Sequence, residues 1–275
     1  MGPRYAYTLG IHASDKIRLE RLLISDPWFY AAAIPAVLMF AVAKGGFGGG
    51  LGTASVPLMA LVVTPVQAAA ILLPILCLMD VFSLWAYRRK WLWPELRMLL
   101  PASLIGIATG TLLFSTMSAS VVRLIVGFVA ITFTVHYWIN QRRSASEGLA
   151  DFPRAYAMIG GTVAGFTSFV AHAGGPPISM YLLRRSLNRT DFVATTVVFF
   201  AVVNYVKLVP YAWLGQFDTS NLLTSLVLAP LAPIGVGLGV WLHRRVSDRF
   251  FFSFVYVLLF LVGLKLVYDG VSNFN

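Results

Sequence analysis

Charged side chains are scarce: only 12% of the 275 residues are Asp, Glu, Lys or Arg, against about 25% in a soluble domain. With 58% hydrophobic residues, this excludes an ordinary globular enzyme. Cys77 is the single cysteine and sits inside an apolar run, so neither an intrachain disulfide nor a cysteine-type metal site can form. The first 27 residues lack a long apolar core and carry Asp15, Glu20 and Asp26, which argues against a signal peptide. Within them, Lys16 to Ile24 reads as a short amphipathic helix lying on the membrane surface. Acids are outnumbered, 11 against 21 bases, for a net charge of +10. Most bases fall in short loops between apolar runs, where they set orientation, so no nucleic-acid partner is expected. A positive field that attracts anions can coexist with that role.

What is present in abundance is apolar runs of membrane-spanning length. They predict an all-α polytopic protein embedded in the lipid bilayer as one membrane domain. The spans read as 28–43 with a short return 54–63, then 66–86, 97–115 and 119–139. After a polar linker at 141–154 come 156–172 with a short return 177–183, then 192–211, 221–242 and 250–268. Residues 1–27 form an interfacial segment, 28–140 a first half and 155–275 a second.

The halves match. Pro101-x4-Gly106-x3-Gly110-x7-Ser118 recurs as Pro230-x4-Gly235-x3-Gly239-x7-Ser247, an offset of 129 at both ends. The glycine-rich interruptions match at an offset near 123, with Gly52 opposite Gly175. The basic loop in half one, Arg88-Arg89-Lys90, follows the second span; in half two, His243-Arg-Arg245 follows the third. Positive charge has changed sides, so the sequence predicts two inverted repeats. Each is a broken or re-entrant hairpin plus three transmembrane helices. This arrangement puts the N-terminus outside, together with Arg4, Lys16, Arg18 and Arg21, against the positive-inside rule. The rival topology, with the first broken segment crossing once, remains open at this level.

The interruptions are the candidate site. Lys44 to Thr53 contains six glycines in ten residues, and Ala171 to Pro177 holds Gly174, Gly175, Pro176 and Pro177. Irregular backbone at membrane depth survives only where protein or a water-filled cavity covers it. Glycine runs leading into helix starts can hold an anion with backbone amides. Candidate substrate-binding residues are therefore Lys44, Gly48, Gly49, Gly50, Gly52, Thr53, His172, Gly174 and Gly175. Asn204 and Lys207 join them, three apart on one helix face. Close helix packing is the competing reading for the glycines. An interfacial position competes for Lys44 and Lys207, and a neutral hydrogen-bonded state for His172. Asp80, with Arg88 two turns on, is an ion-pair partner, a proton carrier or a packing acceptor. Asp80 and His172 are the proton-coupling candidates. Gln67, Thr195 and Thr196 are weaker polar candidates. Trp91, Trp93, Tyr137 and Trp138 mark the interfacial belt.

At these residues the chain resembles the sulfite exporter TauE/SafE family, also called the toluene sulfonate uptake permeases. The likeness lies in Gly45-Gly-Phe-Gly-Gly-Gly-Leu-Gly-Thr-Ala-Ser-Val-Pro57 and in Gln67-Ala-Ala-Ala-Ile-Leu-Leu73. It continues in Gly165-Phe-x7-Gly-Gly-Pro-Pro177 and in Val203-Asn-Tyr-Val-Lys207. It departs from the family where His172-Ala precedes a short glycine pair and where Ser179-Met180 replaces a second Val-Pro. The resemblance implies a bacterial inner-membrane secondary transporter of small sulfur-containing or organic anions, such as sulfite or sulfoacetate. No cofactor, no metal and no enzymatic activity are expected, and no oligomeric state is readable. An anion channel, or a membrane enzyme or cofactor-binding subunit, is the alternative; the enzyme would need a nucleophile and base at readable spacing.

Overall fold

The computed structural model describes residues 24, 26–48, 50–114, 116–142, 154–182, 185, 187–243, 245 and 248–273. All regular structure among them is helical. The expected surface helix at 16–24 and most of the 141–154 linker lie outside the described residues.

Helix starts follow from side-chain caps. Asp26 accepts from the Trp28 amide at 2.9 Å and Pro27 opens α1, Pro27–Gly46. A 3-10 turn, Gly50–Ala54, leads into the short α2, Ser55–Met59. Thr64 accepts from the Gln67 amide at 3.1 Å and Pro65 opens α3, Pro65–Ala86. Then come α4, Trp93–Phe114, and α5, Ala119–Arg142. The second half has α6, Arg154–Ala171, the short α7, Gly175–Leu182, and α8, Arg189–Trp213, capped by Asn188. Asp218 caps α9, Thr219–Leu228, which is followed by α10, Leu231–Leu242, and α11, Asp248–Ser272.

Five of these helices are long and apolar enough to cross a membrane, and α9 with α10 makes a sixth span bent by 44°. That bend corrects the single helix expected over 221–242. Pro230 lies at the break and has no amide hydrogen to continue the ladder. Helix α4 begins four residues earlier than expected. The Thr195 hydroxyl caps the Leu92 amide at 3.1 Å, and Glu95 in the first turn is buried rather than interfacial. Large apolar side chains such as Leu112, Val209, Leu226 and Trp213 stand exposed around the outside, as lipid-facing surface does.

The halves interlock. Helix α1 packs chiefly on α10, and α4 chiefly on α6. Both seams are made by glycine, which brings the backbones close. Gly239 rests on the Val42 carbonyl and Gly235 on the Ala41 methyl. At the equivalent positions, Gly106 rests on the Thr162 carbonyl and Gly110 on the Phe169 ring. The glycines read as a repeat from sequence thus pack within the chain. A third pair, α5 with α11, is antiparallel: Ser120 meets Asn273, and Thr134 meets Tyr256.

Polar ends gather on two faces. On one, Tyr87 OH donates to Gly45 O at 2.6 Å, the His243 imidazole meets Gly46 O at 2.6 Å, and Arg189 stacks 5.6 Å from the Phe47 ring centroid. Arg88, Lys90 and Arg245 adjoin these residues in sequence. On the other face, Gln67 donates to Asn221 at 3.3 Å, beside Asp218, Arg123 and Asp269.

Candidate functional site

Lys44 lies in the last turn of α1 and is 2% exposed. Its Nζ is 2.6 Å from Asp80 Oδ1 on α3 and donates to Leu76 O at 3.2 Å. Asp80 is fully buried, and its Oδ2 accepts from Asn204 Nδ2 on α8 at 2.8 Å. The acid thus pairs with the lysine ahead of the first break, not with Arg88. Burial of both charges is tolerable because each has its opposite and further hydrogen bonds.

A second cluster lies one helical turn along α8. Lys207 is fully buried, which corrects the interfacial alternative. Its Nζ reaches Ser168 O at 3.0 Å, Ser168 Oγ at 3.0 Å and His172 Nδ1 at 2.8 Å. Ser168 and His172 are four apart in sequence, with Ser168 on α6 and His172 just past its end. His172 Nδ1 also lies 3.1 Å from Ser168 O, and Nε2 lies 2.9 Å from Ala69 O on α3; with Lys207 donating to Nδ1, the imidazole hydrogen is assigned to Nε2, which then donates to Ala69 O. His172 has φ +50°, the left-handed conformation that usually selects glycine. The His172 amide folds back onto Ser168 O at 3.1 Å, the 5→1 bond of a left-handed cap, and the Ala173 amide reaches Thr167 O at 3.1 Å, closing α6. The histidine next to the second break thus both makes the turn that ends α6 and sets its ring beside Lys207 Nζ.

The two clusters share one small cavity. Lys44, Ser168, His172 and Asn204 line it with Phe40, Leu76 and Phe200. It holds about 10 Å³, the room of a single water. An oxyanion enters only if the walls separate. The breaks themselves sit at different depths. Helix α1 ends beside Tyr87, just past the C-terminus of α3, and α6 ends beside Ala69, near the start of α3. These points are 18 residues apart on the chain, or ~27 Å at helical rise. Each broken segment reaches the shared cavity with the side chain that precedes its break.

The glycines mostly serve packing. Gly45 rests on the Val236 carbonyl and Gly46 on that of Gly239. Gly48, at φ +71°, lies under the Phe192 ring, and Gly52 under that of Phe40. Gly50 opens the 3-10 turn, Thr53 is buried there, and Gly49 lies outside the described residues. Gly174 packs on the Ala164 carbonyl, and Gly175 opens α7 ahead of Pro176 and Pro177, which supply no amide hydrogens. The structure brings Lys44, Asp80, His172, Asn204 and Lys207 together. The glycines stay at the margins.

Sequence reasoning missed Ser168, although its spacing of four from His172 pointed to it. It also missed a buried cluster at the base-rich face. Tyr181 OH donates to Glu95 Oε2 at 2.6 Å and Arg185 Nε to Oε1 at 2.9 Å, tying α7 to the start of α4. Of the weaker candidates, Thr195 caps α4, Thr196 bonds back to Val193 O, and Gln67 bonds Asn221, all away from the cavity. Among the described residues no group of His, Cys, Asp and Glu could hold a metal ion.

Residues 33–266 match the family model described as sulfite exporter TauE/SafE. No curated protein and no solved structure matches the chain.

Proposed function

The chain belongs to the sulfite exporter TauE/SafE family, and we propose on that premise that it is a secondary transporter of a small sulfur oxyanion or sulfonate, seated in the bacterial inner membrane. The observation that carries this reading is the shared cavity. Two broken segments from different halves each turn a basic or imidazole side chain into it, Lys44 and His172. Ionisable groups at membrane depth mark substrate paths. In this reading the anion sits between Lys44, His172, Ser168 and Asn204, with Lys207 behind. The glycine-rich breaks Gly48 to Gly52 and Gly174 to Gly175 carry those side chains to the site.

The halves are inverted repeats in this proposal. It is supported by the antiparallel α5–α11 pair and by the gathering of basic residues on one face. Rocking of one sequence half against the other would tear both glycine seams. The moving bodies are instead the mixed pairs, α1 with α10 against α6 with α4, sliding on α3 and α8 between them.

A thermal-shift panel on detergent-purified protein tests the site. Sulfite, sulfoacetate, taurine, thiosulfate, sulfate, acetate and chloride are compared at fixed ionic strength. A ligand at 100 times its dissociation constant adds about 2.7 kcal/mol to the folded state. Selective stabilisation by one sulfur anion is expected. It should vanish in the charge-neutral double variant Lys44→Met/Asp80→Asn, which leaves no orphaned buried charge as Lys44→Ala alone would. An equal response to every anion in both proteins rules the site out.

A further inference from the structure

We propose that Lys207 carries a proton through the membrane with each anion, alternating between amine and ammonium in a cradle built by Ser168 and His172. This rests on the transporter reading above and adds its coupling ion.

The first argument is hydrogen-bond accounting. Lys207 Nζ has three partners: Ser168 O, Ser168 Oγ and His172 Nδ1, at 3.0, 3.0 and 2.8 Å. An ammonium has three hydrogens and donates to all three. A neutral amine has two hydrogens and one lone pair. It donates to the carbonyl and to Nδ1, and its lone pair accepts from the serine hydroxyl. A hydroxyl both donates and accepts, and its hydrogen rotates freely. The same heavy atoms therefore satisfy both protonation states without moving. A carbonyl or a second carboxylate in the place of Ser168 Oγ would serve only one of them.

The second argument is charge. Every titratable group facing Lys207 is already committed. Lys44 on α1 is paired with Asp80 on α3, whose other oxygen is held by Asn204. His172 on α6 spends Nε2 on Ala69 O and Nδ1 on Lys207 itself. Tyr211 on α8 donates to Phe169 O at 2.7 Å. Cys77 on α3 is an uncharged buried thiol. Among the described residues no carboxylate lies within ion-pairing distance of Lys207. With the amine, the buried cluster is neutral; with the ammonium, it carries one net positive charge, which burial disfavours. A monoanion in the adjoining cavity reverses that preference, since anion and ammonium together are neutral. Binding of each then favours binding of the other by the same factor.

The step balances. On loading, a proton from the bulk bonds to Lys207 Nζ and the Ser168 hydrogen turns away. On release at the other face that N–H bond breaks and the hydroxyl hydrogen returns. No net charge crosses with a monoanion such as a sulfonate or bisulfite, whereas a dianion carries one charge uncompensated.

The test measures protons taken up on binding. Methanesulfonate and isethionate keep a fixed single charge across neutral pH, so any proton taken up belongs to the protein. Each is added to the purified protein in weak buffer with a pH indicator, and binding is followed by calorimetry. The expected result is one proton taken up per anion bound, with affinity falling about tenfold per pH unit on the alkaline side. Lys207→Arg stays charged at every accessible pH, so whatever anion binding it keeps, weakened or not, should come with no proton uptake. Binding to the wild-type protein without proton uptake overturns the proposal and leaves the transporter reading standing. So does proton uptake that survives in Lys207→Arg. No binding of either sulfonate overturns the anion reading, and this proposal falls with it.

Discussion

His172 carries two duties at one residue, and substitutions separate them. Its φ of +50° is strained for a side chain with a Cβ. His172→Gly and His172→Ala remove the same imidazole, so their difference isolates the backbone. His172→Gly should be the more stable by about 1 kcal/mol, read from thermal unfolding in detergent, while both lose anion binding. Equal stability would mean that the turn is not strained. At this scale the sequence was informative about which polar residues lie buried together. Lys44, Asp80, His172, Asn204 and Lys207 are polar residues in apolar surroundings and stand out for that reason. It was uninformative about pairing. Asp80 has Arg88 two turns away in sequence, yet it joins Lys44, which is 36 positions distant, because two chain segments must cross to bring them together. Ser168 was passed over because small hydroxyl residues are ordinary in membrane helices, although its spacing of four put it on the His172 face. Glu95 was not singled out at all, because its pairing with Tyr181 and the half-buried Arg185 joins segments about 90 residues apart.

At the level of helices, one face of α10 decides how close its neighbour can come. Gly239 sits against the Val42 carbonyl and Gly45, whereas Gly237, two residues earlier, has open space around it. Gly239→Ala should push α1 and α10 apart and lower the melting temperature sharply. Gly237→Ala should be neutral or stabilise by roughly 0.5–1 kcal/mol, the usual helical gain over glycine. Similar effects from the two would mean that the seam yields. The glycine periodicity was legible as a repeat, but its partner was not, since spacing says which face is small and not what lies on it. The dense run at 45–52 was read as an anion site. Four of its six glycines meet a carbonyl or an aromatic ring, a packing role that spacing alone did not reveal. The bend at Pro230 was missed because Pro101, its counterpart in the repeat, sits inside an unbroken α4.

Across the whole molecule, the sides of the membrane are the open quantity, and the chain is well suited to measuring them. Cys77 is the sole cysteine and is buried, so Cys77→Ala gives a background without thiols. Single cysteines at Lys90 and Gln216 should then react with a membrane-impermeant thiol reagent from opposite faces of intact cells, Lys90 from the cytoplasm. Labelling of both from one side would end the inverted-repeat model. The all-helical character and the presence of several helices long and apolar enough to cross a membrane were readable from hydropathy. The way the halves interlock was not, because it depends on which glycine face meets which backbone.

That interlocking has a consequence for how the protein is made. When the linker emerges from the ribosome, α1 and α4 precede it in the nascent chain, but their main partners, α10 and α6, have yet to emerge. Until then the small-residue faces of the first half are bordered only by lipid or by a chaperone. The first half is a waiting intermediate rather than a finished domain, and a chain truncated at the linker has no native state of its own to reach.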